Sequence, residues 1–288
     1  MTQTTVVPHS DLPAGRFAPG RILGYIFLAL TIIIWTFPLY KMFERSLYGK
    51  GFQNYNRILF QADSFQVSKG YAYDIPDFWI YLENSLTVTA IDMILILSLV
   101  SLAAFAFSKM DFPGKEALYV LTLIGMMMPA AGFIVPYFIT LKKIGLINTI
   151  YSLIGPHVAG AVPMSMMIIR NNMDEINDEM VEASIIDGCS RMGVFLRMML
   201  PLAKPAIGTA AIFAFMGSWN DYLLPLVMLN KSEGMTLTLL PQRFTAFGGG
   251  SNYGVIFASL VLISIPIFII YMFCQRFLVS GMAAGTIK

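Results

Sequence analysis

Charge is scarce in this chain. Lysine, arginine, aspartate and glutamate supply 12% of its 288 residues, where soluble domains carry about 25%. So little charge cannot coat a water-facing globule, which excludes an ordinary soluble fold. The formal net charge of +2 is too small to point to nucleic acid. Cysteine is nearly absent. Cys189 and Cys274 lie far apart without metal-ligand neighbours, so neither a disulfide framework nor a zinc site is read. His9 and His157 are equally isolated, and no metal site is expected. A Gly-x-x-x-x-Gly-Lys-Ser/Thr phosphate loop is missing, because Gly49-Lys50 and Gly114-Lys115 are followed by neither Ser nor Thr. Paired nucleophile and base constellations are missing too, which speaks against a membrane enzyme.

What the chain has in abundance is apolar length. Hydrophobic residues make up 57% of it, and its mean hydropathy is +0.69. Crossing a bilayer takes about 20 residues of helix. Six segments qualify: roughly 22–43, 82–108, 116–141, 150–170, 205–229 and 254–276. Helix is required because hydrocarbon offers backbone groups no partners, and these runs lack the alternation of a barrel. The expected fold class is therefore all-α, a polytopic membrane protein with six transmembrane helices. Residues 1–20 hold Pro8, Pro13, Pro19, Gly15 and Gly20 and read as a flexible tail. The first apolar run is too long for a cleaved signal and is expected to stay as an anchor.

Six crossings put both termini on one side. Basic residues favour the N-in, C-in arrangement weakly, since the first outside loop, 44–80, is long and also carries Asp63, Asp74 and Asp77. That loop is rich in aromatics, including Tyr55, Phe65, Tyr71 and Trp79, which suits an interfacial belt or a docking surface. Pro129, Pro136, Pro156, Pro163 and Pro225 cluster in spans three to five. Each removes a helix hydrogen bond, and together they suggest kinked helices around a pathway. Met126-Met127-Met128-Pro129 suggests a flexible gate. Asp92 is a carboxylate inside span two, with a helix–helix hydrogen bond as its ordinary reading; His157 reads as structural.

The most distinctive stretch lies between spans four and five, a polar hairpin over 174–201. Asn177 fits an N-cap, with Asp178 and Glu179 in the first turn where the helix dipole favours negative charge. The helix should run to about Asp187, with Gly188 at the left-handed position that ends it. A second helix should follow from Ser190 to about Leu200. Val181 and Ile185 beside small residues could seat in a groove of another protein, or the hairpin could lie on headgroups.

Glu182-Ala183-Ser184, three residues, Gly188, nine residues, Met198, one residue, Leu200-Pro201 resembles the EAA motif of ABC importer permeases. Ser184 stands for the third small residue of the motif and Met198 for its isoleucine, with the spacing intact. Phe215 to Tyr222, containing Trp219-Asn220-Asp221-Tyr222, is similar to a span-five signature of carbohydrate-uptake permeases. Phe105 to Lys115 is similar to that family's first cytoplasmic loop, and Arg276 to Lys288 resembles the tail of maltose-permease-type subunits.

The resemblance implies a type I importer permease in a bacterial or archaeal cell membrane. It implies a second permease subunit as heterodimer partner, a dimer of cytoplasmic ABC ATPases, an extracytoplasmic solute-binding protein and a sugar substrate. ATP and magnesium would sit on the ATPases, and this chain would bind no cofactor and catalyse nothing. Glu182, Ala183, Ser184, Asp187 and Gly188 would form the ATPase-coupling helix, which places the hairpin and the N-terminus in the cytoplasm. Gly281, Gly285 and Lys288 would belong to a tail that touches the ATPases. The expected substrate path holds Trp219, Asn220, Asp221 and Tyr222, because sugars offer hydroxyls to amides and carboxylates and C–H faces to aromatics. The competing reading is an ion-coupled secondary transporter, although no convincing half-length repeat is seen.

Overall fold

A computed structural model of the chain describes residues 19–61, 77–245 and 253–284. Among these the structure is helical, with no strand. Helix α1 is Pro19–Ser46, α2 Gln53–Phe60 and α3 Phe78–Lys109. Helix α4, Lys115–Ile124, and α5, Ile134–Lys143, are followed by α6, Tyr151–Asp174. The hairpin holds α7, Asp178–Ile186, and α8, Arg191–Val194, then a π turn at Phe195–Met199 and α9, Leu200–Leu202. Helices α10, Lys204–Trp219, α11, Leu223–Met228, α12, Leu240–Thr245, and α13, Tyr253–Ala284, complete the chain. Of the expected tail, residues 1–18 lie outside the described residues and 19–20 open α1. Much of the expected aromatic loop, 62–76, lies outside them as well.

Among the described residues, four helices are long and apolar enough to cross a membrane singly: α1, α3, α6 and α13. Two further candidate spans among the described residues are bent pairs, the second being Arg191–Leu202 with Lys204–Met228, bent by 76° at Ala203. The continuous helix expected over 116–141 is instead two pieces, Lys115–Met127 and Ala130–Lys143, bent by 96°. Pro129 is the cause. Its ring bars the preceding residue from the α region, and Met128 is extended at ψ 126°. The helix expected over 205–229 is divided into α10 and α11 by residues 220–222. Pro156 and Pro163, expected to kink span four, lie inside an unbroken α6.

Helix α3 packs along α6, with α10 against both and α13 behind α10. The buried apolar residues form two separate cores. One gathers Tyr81, Val88, Leu153, Phe215, Trp219 and Val255. The other, at the hairpin end, gathers Ile96, Val100, Met166, Met173, Phe195 and Met199. Polar residues of the same three helices lie between them.

Helix α1 keeps its apolar side chains from Ile22 to Phe43 largely exposed while resting on α13. Its last turn is closed by buried Asn54, whose amide donates to the carbonyls of Ser46 at 2.8 Å and Tyr48 at 3.0 Å. Gly254 passes so close that a Cβ would collide with the Tyr48 carbonyl and the Asn54 side chain.

Candidate functional site

The hairpin is built by its caps. Asn177 accepts the backbone N–H of Glu179 at 3.0 Å and opens α7. At the other end Gly188 takes φ +87°, where only glycine sits without strain. Gly188 N–H donates to Ile185 O at 3.0 Å and Cys189 N–H to Ser184 O at 3.0 Å. Together these make the Schellman closure of a helix C-terminus. Ser190 then accepts the N–H of Gly193 at 3.1 Å and opens the second arm. The expected single helix over that arm contains the π turn, which holds Arg197 and ends at buried Met199. The two departures from the motif touch each other, with the Ser184 hydroxyl 3.4 Å from the Met198 sulfur across the hairpin.

Glu182, Ala183, Asp187 and Gly188 are exposed and Ser184 is half-buried. Val181, expected on the presenting face, is instead buried against the hairpin-end core. The large exposed apolar residues of α7 are Met180, Ile185 and Ile186, the last with 84% of its surface free, and Met192 and Leu196 are exposed on the second arm. Two side chains, Lys109 and Phe105, tie this tip to the bundle, and Arg170 braces α6 behind it. Lys109, the last residue of α3, has a side chain only 4% exposed and donates to Ile176 O and Asp178 Oδ1, each at 2.6 Å. Phe105 meets Phe195 with ring centroids 5.4 Å apart. Arg170 lies 3.8 Å over the Tyr119 ring and pairs with Glu116 at 2.8 Å, joining α6 to α4.

The four residues of the expected substrate path separate. Trp219 is buried, stacked on Phe215, and donates its indole N–H to Ile263 O at 3.3 Å. Asn220 ends α10 and is exposed. Tyr222 is exposed and donates to Gln242 Oε1 at 3.1 Å. Asp221 turns inward. Its Oδ2 is 2.9 Å from His157 Nε2, and its Oδ1 accepts the N–H groups of Leu223 at 3.1 Å and Leu224 at 3.4 Å. On the other side of the ring, His157 Nδ1 is 2.7 Å from Asp92 Oδ2, which also accepts the Ser218 hydroxyl at 2.6 Å.

Sequence reading named Asp92, His157 and Asp221 one at a time and missed their union. A usable signal was present. These are the ionisable side chains deep inside the apolar runs, and buried charge persists where it is paired. Of the expected tail, Gly281 lies in α13, while Gly285 and Lys288 fall outside the described residues.

Residues 98–284 match the family of binding-protein-dependent transport system inner membrane components. The chain belongs to this family. The match takes in the hairpin, the helices α6, α10 and α13, and the last 12 residues of α3. Among relatives of this transport family, the diacetylchitobiose uptake system permease protein NgcG of Streptomyces coelicolor is 32% identical, covering 72% of this chain and 69% of its own. The maltodextrin transport system permease protein MdxG of Bacillus subtilis is 28% identical, covering 93% and 96%. A chain from a bacterial ABC transporter involved in import of the acidic polysaccharide alginate shares the fold, with a TM-score of 0.68 at 20% identity over 94% of this chain and 99% of that one. The chain is thus a multi-pass membrane component of a transport system.

Proposed function

We propose that this chain is a permease subunit of an ATP-driven importer for an oligosaccharide or a related sugar. In this reading it pairs with a second, different permease subunit and rests on a dimer of cytoplasmic ATPases that hold ATP and magnesium. An extracytoplasmic binding protein delivers the sugar. The hairpin and both termini face the cytoplasm of a bacterial or archaeal cell. The observation that carries the reading is the hairpin itself: capped at both arms, closed by Gly188, and presenting Ile185 and Ile186 to solvent. Such a tip suits insertion into a groove of a partner. The named substrates of NgcG and MdxG support a carbohydrate cargo.

Motion of the ATPases would reach the bundle through rigid contacts. Lys109 and Phe105 bind the hairpin to α3, and Arg170 binds α6 to α4. Displacing the hairpin therefore drags the ends of the helices that surround the break in span five. A bistable bundle turns a small shift of this kind into opening on one side or the other. Asn220 and Tyr222, exposed at that break, are the residues offered to sugar hydroxyls and C–H faces. The tail from Gly281 to Lys288 is a second contact for the ATPases.

The test is uptake of labelled maltodextrins and chitooligosaccharides into vesicles bearing the assembled complex and its binding protein. Uptake should need internal ATP and survive collapse of the ion gradients. Uptake abolished by ionophores with ATP still present would assign the chain to ion-coupled transport instead.

A further inference from the structure

We propose that Asp92, His157 and Asp221 form a cross-brace that positions the break in span five during translocation, with His157 as the positioning residue at its centre. The proposal rests on the importer reading above and adds to it the device that joins three helices to the substrate path.

Each member comes from a different span. Asp92 lies near the middle of the 32-residue α3 and its side chain is fully buried. His157 lies in α6 with 9% of its side chain exposed, and Asp221 sits at the break with 23% exposed. Both ring nitrogens are committed, at 2.7 Å to one carboxylate and 2.9 Å to the other. Each contact needs its own hydrogen, so the three groups together hold two. Serine, threonine or asparagine could not make this span, because only imidazole presents two polar atoms on opposite edges of a rigid ring.

The brace holds more than side chains. Through its second oxygen Asp221 accepts the first amides of α11, and its carbonyl accepts the Thr238 hydroxyl at 2.7 Å. The path of residues 220–222 is therefore fixed to the point where His157 holds Asp221. The cluster also lies on the seam between the two apolar cores. On α3, Val88 belongs to one core and Ile96 to the other, with Asp92 between; on α6, Leu153 and Met166 flank His157 in the same way. Apolar packing alone is non-directional and would let the cores slide. Directional bonds at the seam set one register. The hairpin end of α3 is held by Lys109, so a shift of the hairpin arrives at Asp92 along one continuous helix and is handed to Asp221 through the imidazole.

Two measurements decide it. The first is made on the full chain in nanodiscs after His9→Gln, which leaves His157 as the one imidazole. Nitrogen NMR of that ring should show Nδ1 perturbed by Asp92→Asn and Nε2 perturbed by Asp221→Asn. A ring spectrum indifferent to either change would overturn the brace. The second uses the assembled complex with His157→Gln. Binding-protein-stimulated ATP hydrolysis should persist while maximal uptake falls about tenfold with apparent affinity for the binding protein retained. Asp92→Glu, which keeps the acceptor, should recover part of the uptake lost in Asp92→Asn. Uptake that falls only in step with the amount of assembled complex would reduce the cluster to packing and overturn the proposal. Should the unaltered complex show no ATP-driven sugar uptake, the importer reading fails, while the NMR result still decides whether the brace exists.

Discussion

Gly188 and Trp219 show how differently one side chain can matter. A Cβ at Gly188 meets nothing within 4 Å, so the cost of replacing it is conformational. A left-handed residue other than glycine costs about 1–2 kcal/mol, more when β-branched. Gly188→Val should leave the protein inserted but uncouple ATP hydrolysis from uptake, and Gly188→Asn should be milder; parallel assays of the two rates check both. Trp219→Ala removes a stacked, buried indole and should cost about 3–5 kcal/mol, read as a lower unfolding midpoint in detergent. Asn220→Ala, at an exposed position, should change stability by no more than about 0.5 kcal/mol and weaken uptake. The sequence exposed Gly188 fully, because the need for positive φ is local and glycine announces it. It could not divide Trp219 from its neighbours. Whether an aromatic residue faces a core or a cavity depends on which helix stands opposite, and here that is α13.

The hairpin was the most legible element. Asn177, Ser190 and Gly188 set its limits through hydrogen bonds within a few residues, and each behaves as its residue type dictates. Replacing Asn177 or Ser190 by Ala should cost about 1 kcal/mol each, seen as faster amide exchange in the adjoining arm. The broken spans were less legible. An apolar run reads the same whether straight or folded by 96°. Pro129 marked the place, yet Pro156 and Pro163 are equally visible in a helix that stays whole. Lys109 also escaped notice as anything but a charge at a span end. Its partners are a carbonyl and an aspartate 67 and 69 residues away. Lys109→Met removes two charge-assisted bonds, each worth about 1.5–3 kcal/mol, while Asp178 stays solvated. Insertion should be normal, and uptake per ATP hydrolysed should fall.

At the scale of the whole molecule, composition foretold membrane residence well, because scarcity of charge is a global property. It was silent on how α1 is held. That helix has little buried surface of its own and is secured where Asn54 and Gly254 meet its last turn. Gly254→Ala should push this junction apart at a cost of about 1–3 kcal/mol, detected as protease cleavage between α1 and α3 in membranes. The division into two cores was equally hidden, since each residue's hydrophobicity says nothing of which cluster it joins. The π turn at Phe195–Met199 gives the interval between Gly188 and Leu200-Pro201 a meaning beyond length. It absorbs one residue more than an α turn, and each residue of an α-helix advances about 100°. Rewinding it to α without deleting a residue would swing everything beyond it through that angle. The arm therefore contains its own axle, and a stroke applied at the tip can twist the fifth span as well as tilt it.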